Sequence, residues 1–550
     1  MNKKFFSNFS FSLICVLFFI SLVFSFLSKS YVSEVEYVSE NSGIRGKAKN
    51  LFTIKNAPID LFVITFKVNY FFIGQSIFNI IPDDKFEELK VNGEVVSLDK
   101  IKKGDLENWE KGFVISLGKY LKKGENFFEI KLRNRGGDSG LAVISLVGNY
   151  LFYFGVFNFI LMLLWIFLRR EFSFEKKNLN FLFILLVIVL AYFIRLSVFH
   201  FVSGDFSLFL NSWYDHLRDN GLKSFAKEFS NYSPMYLYLL GISTFFPVDK
   251  LSAIKIISII FDFVCGFFVF KIVFENKKDI FVSTLAFGLF MIIPTVIMNG
   301  AFWGQCDIIF ATFCVISIYY MVKKNYLLSF LFYSIAFSFK LQAIFIAPVY
   351  FLFFILGKYD IKYFFLIPFI YFVSIIPAVF MGGKFIDLLL IYFKQTDYYR
   401  DMAINAPTFY QWFSNNPILL AFGFLFCCLI VFILLFVFWN LLKKQELKNT
   451  AILYITFLFS IVVPFFMPRM HERYFFMADI FSFILAFFIP SKFYLSLIVI
   501  FVSMFSYGYF LFGKQIIPFG YLSFGMLLVI ILSIGFFFNG INKERKLFLK

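Results

Sequence analysis

Asp205 stands in Ser203-Gly204-Asp205-Phe206, directly after an apolar run, where a membrane-crossing segment would end and a polar loop begin. A carboxylate at that boundary can take a proton from an acceptor hydroxyl while a sugar-phosphate bond breaks. From position alone, a helix-capping aspartate is the alternative. Pro468-Arg469-Met470-His471-Glu472-Arg473-Tyr474 lies between two later apolar runs. With Pro468 in the first turn of the following helix, that helix start would carry Arg469, His471 and Arg473, a natural phosphate site. A basic turn touching lipid headgroups is the plainer reading. Lys340 interrupts a strongly apolar run. An ammonium there is costly unless it snorkels to the outer interface or finds a partner such as a donor phosphate.

Polar and aromatic residues surround these charges in sequence. Trp213-Tyr214-Asp215-His216 and Asn231-Tyr232-Ser233-Pro234-Met235-Tyr236 offer rings suited to sugar stacking, although Tyr and Trp also gather at bilayer interfaces. In Trp303-Gly304-Gln305-Cys306-Asp307, Gln305 and Asp307 could hydrogen-bond a sugar or hold the Asp205 loop, with helix capping an equal alternative for Asp307. The stretch 381–416, with Tyr398, Asn405 and Tyr410, has the composition of a loop that covers substrate. Asp215, Asp219 and Glu472 could supply oxygen ligands to a divalent ion, but no compact ligand motif accompanies them, and no metal is expected.

The elements that must position these groups are dictated by solvent. The chain of 550 residues is 60% hydrophobic and holds 92 phenylalanines, more apolar surface than a soluble core of this size normally buries. Apolar runs long enough to cross about 30 Å of hydrocarbon recur, about 14 in all. They lie near 10–27, 150–168, 180–200, 253–274, 279–298, 305–322, 326–357, 361–380, 417–442, 450–467, 474–489, 493–511 and 519–539. As one helix the run 326–357 would extend about 48 Å, so it is read as two short spans meeting near Lys340. The net charge of +17 falls in small clusters at the ends of apolar runs, a topology signal rather than a nucleic-acid surface. All clusters share one side if both termini are cytoplasmic and the short apolar piece 234–247 stays re-entrant or interfacial. The polar loops then share the extracytoplasmic face. The six cysteines, at 15, 265, 306, 314, 427 and 428, have no metal-ligand spacing and imply no disulfide framework.

Residues 1–29 read as an uncleaved N-terminal anchor, with a cleaved signal peptide as the alternative. Residues 30–147 differ from the rest of the chain. Short alternating runs such as 61–68, 113–117 and 127–132 are separated by turn signals including Asn92-Gly93 and Gly136-Gly137-Asp138, as expected of an all-β sandwich. The stretches 90–95 and 120–126 resemble those of jelly-roll, galactose-binding-like domains. The expected fold class is therefore mainly α, a polytopic helical bundle over 148–550 with outer loop 201–252 and substrate loop 381–416, preceded by an extracytoplasmic β-sandwich.

Asp205, Asn231-Tyr232-Ser233-Pro234, Trp303-Gly304-Gln305-Cys306-Asp307, Ser338-Phe339-Lys340-Leu341-Gln342 and Met470-His471-Glu472-Arg473-Tyr474 occur in that order. The set resembles the GT-C glycosyltransferases, specifically bacterial relatives of the mannosyltransferase that adds the second mannose to GPI anchors, over roughly residues 180–490. Ser233 stands where a second proline is common in that group, a departure with a local effect. The resemblance implies a polyprenyl-phosphate sugar donor, a base supplied by an acidic residue of the first outer loop, inversion at the anomeric carbon and no metal. The candidate set is then Asp205 as base, with Lys340, Arg469, His471 and Arg473 on the donor phosphate. Trp213, Tyr232, Tyr236, Trp303, Gln305, Asp307, Gln342, Tyr398, Asn405, Tyr410 and Glu472 form the substrate-binding group. The expected partners are the donor lipid, a glycan, lipid or protein acceptor and membrane lipids, without nucleic acid, and the expected location is a bacterial inner membrane. A transporter of lipid-linked saccharide would instead need inverted repeats and broken helices, and no internal repeat is visible. A catalytically silent glycan-binding scaffold is the third reading.

Overall fold

The computed structural model describes residues 32–48, 52–54, 56–70, 76–109, 111–122, 124–145, 176–246, 248–396, 401–542 and 548. The N-terminal anchor, the apolar run 150–168 and Tyr398 lie outside them. Packing divides the chain into two units, Met1–Phe174 and Glu175–Lys550.

The first unit is built from two antiparallel sheets. One has six strands, β1 (Val32–Ser39), β2 (Arg45–Ala48), β4 (Leu61–Tyr70), β6 (Lys85–Val91), β7 (Glu94–Val95) and β9 (Gly124–Arg133), in the order β2-β1-β4-β9-β6-β7. The other has four, β3 (Phe52–Ile54), β5 (Ile77–Pro82), β8 (Phe113–Ser116) and β10 (Ser139–Ser145), in the order β3-β10-β5-β8. Period-two alternation sends Phe62, Ile64, Phe66 and Val68 of β4 inward, opposite Leu132, Ile130 and Phe128 of β9. Phe78 of β5 meets Phe128 edge-on at 5.8 Å and Phe86 of β6 meets Phe113 of β8 at 4.9 Å, so the two inner faces share one core. Asn92 and Gly93 both adopt positive φ, as a two-residue hairpin between β6 and β7 requires.

The second unit is mostly helical. Its main helices are α1 (Lys176–Val198), α2 (Asn211–Asn220), α3 (Pro234–Ser243), α4 (Lys250–Lys277), α5 (Ile280–Met291), α6 (Pro294–Ile297), α7 (Asp307–Val322), α8 (Tyr326–Phe339) and α9 (Ala347–Ile355). There follow α10 (Leu366–Phe380), the short α11 (Phe385–Leu389) and α12 (Ile391–Thr396), then α13 (Pro417–Leu442), α14 (Asn449–Phe466), α15 (Phe476–Phe488), α16 (Phe493–Phe512) and α17 (Phe519–Asn542). Among the described residues, six helices are long and apolar enough to cross a membrane, or seven if the bent pair Ile280–Met291 and Pro294–Trp303 counts as one. The larger number expected from apolar runs includes shorter helices, among them Asp307–Val322, Tyr326–Phe339 and Leu341–Ile355. The run 326–357 does break at Lys340, whose backbone is extended between α8 and the 3-10 turn Leu341–Ile346. The piece 234–247 yields the ten-residue α3, about 15 Å long and too short to cross hydrocarbon.

One local expectation is overturned. Pro468 does not open a helix, because the helical stretch begins only at the 3-10 turn Glu472–Phe475, which runs into α15 at Phe476. Arg469 takes a left-handed φ of 62°, its N–H donates to the Met402 carbonyl, and β12 (Met470–His471) pairs in parallel with β11 (Ala403–Ile404). The backbone of Arg469 to His471, which a helix opening at Pro468 would have offered to a phosphate, is spent on the stretch 402–404.

Candidate active site

Asp205 sits at the start of a helical segment that widens into a π-turn over Phe206–Leu210 before continuing as α2. The capping role falls to Ser203: its hydroxyl accepts from the Phe206 N–H at 3.2 Å and donates to the Trp303 carbonyl at 2.7 Å. Asp205 makes no side-chain cap, which removes the capping explanation for it. Its Oδ2 accepts instead from Trp303 Nε1 at 2.9 Å and from Gln305 Nε2. Arg473 Nη1 stands 3.8 Å from the same oxygen. All three contacts fall on Oδ2, leaving Oδ1 as the oxygen open to a hydroxyl in the adjoining cavity.

The two Asp205 donors come from a broken helix. After α5 the chain bends by 51°, resumes as α6 and ends in a second π-turn, Met298–Trp303. Gly304 then takes φ 84°, a left-handed conformation that glycine adopts without a Cβ penalty. That reversal lets Trp303 and Gln305 reach one carboxylate. π-turns of this kind are rare and concentrate at functional sites.

Opposite lie the cations. Lys340 is buried at the α8 break and ion-paired with Asp307, with its ammonium 5.5 Å from the Tyr232 ring. It does not snorkel, because a buried carboxylate meets it. Ser233 Oγ donates to the Ser338 carbonyl, tying the loop before α3 to the last turn of α8 at this break. Arg473 lies among three carboxylates, Asp205 at 3.8 Å, Asp307 at 3.6 Å and Glu472 at 3.4 Å, and its guanidinium covers the Trp303 ring at 5.5 Å. Asp307 also accepts from Asn299 Nδ2 at 2.9 Å.

Burial, reinforced by Arg473 and Lys340, holds the His471 imidazole well below its ordinary range, so it is neutral near pH 7. Burial pushes the Glu472 carboxyl up to about 7, although Arg473 pulls the other way. With Glu472 protonated, the carboxylates Asp205 and Asp307 face the cations Lys340 and Arg473. The cluster is then close to neutral, which is what burial demands of it.

The cavity beside this cluster is lined by Asp205, Trp213, Tyr232, Tyr236, Gln305, Lys340, Gln342, His471 and Arg473 of the sequence-derived set. Trp303, Asp307 and Glu472 are not in its wall. They are buried behind it and hold Asp205, Lys340 and Arg473 from the rear, so the substrate contacts expected of them are replaced by positioning ones. Three other expected residues are elsewhere. Arg469 is at the β11–β12 crossing, and Asn405 is in the turn after β11 with φ 52°. Tyr410 donates to the Phe466 carbonyl at 2.8 Å and lines a separate apolar cavity with Phe422, Gly423 and Phe426.

The wall also contains residues that sequence reasoning did not assign, above all Gln395 of α12, whose amide donates to the Asn231 carbonyl. Gln395 carries no signal beyond the polarity of its loop. Other omissions were visible: Arg195, Lys255 and Asp262 are charges inside apolar runs, the pattern that drew attention to Lys340. Among the described residues no group of three or more His, Cys, Asp or Glu is arranged to hold a metal ion. Comparison of the sequence with protein-family models and with curated proteins finds no match. The reading of the site therefore rests on its geometry. A carboxylate oxygen open to the cavity, two cations, a neutral imidazole, amides and aromatic faces can together bind a polyhydroxylated anion and remove a proton from it or from a second ligand.

Proposed function

We propose that this protein is a membrane glycosyltransferase of the GT-C type, moving one hexose, mannose by resemblance, from a polyprenyl-phosphate carrier to an extracytoplasmic acceptor. The observation that carries this reading is the held Asp205, with Oδ2 gripped by Trp303 and Gln305 and Oδ1 open, in a cavity that also exposes Lys340, His471 and Arg473. In the proposed step Asp205 takes the proton of the acceptor hydroxyl as that oxygen attacks the anomeric carbon. The bond from this carbon to the phosphate oxygen breaks on the opposite face, and polyprenyl phosphate leaves with the bonding electrons. Arg473 and Lys340 balance the charge that gathers on the departing phosphate, and neutral His471 donates a hydrogen bond to it. Trp213, Tyr232 and Tyr236 give apolar faces for the sugar, with Gln305 and Gln342 for its hydroxyls. A polyprenyl phosphate is already a competent leaving group, so the mechanism needs no metal.

The wider proposal is a bundle of about 14 spans in a bacterial inner membrane. The jelly-roll-like β unit and the site would be extracytoplasmic, and the β unit would orient the acceptor or a partner. The test is transfer from a labelled polyprenyl-phosphate sugar to candidate acceptors by the purified full-length protein, with Asp205→Asn beside it. Transfer that disappears in the variant is expected; full activity in the variant would sink the assignment. The 51° break before Trp303 and the break at Lys340 are features that a transporter of lipid-linked saccharide would also need. Movement of intact donor across a reconstituted vesicle, with no sugar transferred, would favour that reading.

A further inference from the structure

One face of α4 carries three polar residues within the helix's long apolar stretch, 253–270. Lys255, Ser258 and Asp262 follow at intervals of three and four, which stacks them along one side, and all three are buried. None lines the cavity, and each is spent on a backbone or side chain that leads to Asp205.

Lys255 Nζ donates to the Phe199 carbonyl at 2.8 Å and the Phe201 carbonyl at 2.7 Å. These two residues follow the end of α1, where carbonyls lose their helical partners and a cation is favoured by the helix dipole. Four residues past Phe201 comes Asp205. Ser258 Oγ donates to the Gln305 carbonyl at 2.6 Å, fixing the residue whose side chain grips Asp205 Oδ2. Asp262 receives Arg195 Nε at 2.9 Å, and Arg195 Nη1 reaches the Met291 carbonyl at 2.9 Å, the last residue of α5 before the break. Packing is close along the same face. A Cβ at Gly300, inside the π-turn that leads to Trp303, would lie 3.3 Å from Ser258 Cβ.

We infer that the Lys255-Ser258-Asp262 face of α4 is a positioning rail for Asp205, with Lys255 holding the loop that carries the carboxylate and Ser258 holding the loop that grips it. The Lys255 amine is spent on two carbonyls instead of an acid, at a buried position where an apolar residue would pack without cost. A helix needs no ammonium there for stability. A loop whose carbonyls must stay at one distance from a neighbouring helix does. As a contribution to catalysis the inference rests on the transferase reading; as a mechanical claim about the 199–210 loop it does not.

The test uses the full-length protein in detergent, with Lys255→Met, Lys255→Arg and Ser258→Ala compared with wild type. The first measurement is hydrogen exchange, read peptide by peptide. Lys255→Met is expected to speed exchange at least about tenfold over 199–210 while α14 and α15 stay at wild-type rates, and Lys255→Arg, which keeps the donors, is expected to restore protection. Unchanged exchange over 199–210, or an equal rise in every helix, overturns the rail. Ser258→Ala loses only a hydroxyl and carries the same test over 303–307 should Lys255→Met fail to accumulate: a local rise supports the rail, and wild-type exchange there overturns it. The second measurement is transfer kinetics. Misplacement of the base by about 1 Å is expected to lower kcat about 100-fold in Lys255→Met with KM for the donor little changed. If wild type transfers no sugar, the transferase reading falls while the exchange measurement still decides the rail.

Discussion

Each unit of the chain holds an aspartate chiefly by hydrogen bonds, Asp60 buried and Asp205 half-buried, and the two are treated in opposite ways. Asp60 of the β unit receives the backbone N–H groups of Asn41, Ser42 and Leu61, the Asn41 amide and the Ser39 hydroxyl, spread over both oxygens. Asp205 of the helical unit receives its donors on one oxygen. A carboxylate satisfied on both oxygens closes a turn and has nothing left to offer. One satisfied on a single oxygen is oriented and still able to react. The same contrast extends to the surrounding charges: ion pairs of the β unit, such as Lys90 with Glu88 and Glu129, are partly exposed on strand faces, whereas Lys340, Asp307 and Glu472 are buried. Exposed pairs contribute little to stability, and buried ones are costly to break.

This contrast can be broken at five places. The largest effect is expected from Asp205→Asn, which keeps the shape of the clamp and removes the base. Transfer should fall at least about 100-fold with an unchanged melting temperature. A variant that melted much earlier would make Asp205 structural, like Asp60. Next is Asp307→Asn, which leaves Lys340 charged and buried without its carboxylate and should cost about 3–5 kcal/mol in detergent unfolding.

The third and fourth predictions have opposite signs. Glu472 is raised to about 7 when folded, so the folded state holds its proton more tightly than the unfolded state. Stability from this group is full below about pH 4.5 and is lost as pH rises through about 7, by up to about 3 kcal/mol. Buried His471, held below its ordinary range, adds an opposite slope to wild type and variant alike, so the test is the difference in unfolding free energy between wild type and Glu472→Gln: it should fall from about pH 4.5 to 8, and a difference that rises would contradict the assignment. Asp60 is held below its ordinary range, led by the Ser39 hydroxyl and helped by the turn N–H groups against the effect of burial. Its contribution is present above about pH 4 and lost as pH falls further. Protection factors of β4 amides, corrected for intrinsic exchange, should therefore fall below about pH 4 in wild type and vary less with pH in Asp60→Asn. The smallest effect is expected from Lys90→Ala, whose melting curve should overlay that of wild type. A clear shift would mean that the strand-face pairs matter more than their exposure allows.

Much of the architecture was legible. Alternation in 61–68 and 127–132 marked the strands that pair as β4 and β9, and Asn92-Gly93 marked a real hairpin, because side-chain period and turn chemistry are local properties. The break at Lys340 was legible too, since a charge within an apolar run has to be accommodated by its neighbours. The Pro468 turn was misread because proline at a helix start and proline in an extended crossing look alike in sequence. The β11–β12 pairing joins residues 403 and 470, and no local pattern announces it.

Sequence alone determined which residues could react and which solvent each unit requires: an apolar run must leave water, and a charge inside it must find a partner. Tertiary structure decided which partner. It turned Trp303, Asp307 and Glu472 from expected substrate contacts into supports and gave the cap to Ser203 instead of Asp205. It also carried Arg469, Asn405 and Tyr410 away from the cavity and brought Gln395 into it. The reason is physical. Hydropathy and turn preference act within a few residues, whereas the choice among carboxylates, cations and carbonyls depends on distances set by segments 100 residues and more apart in sequence.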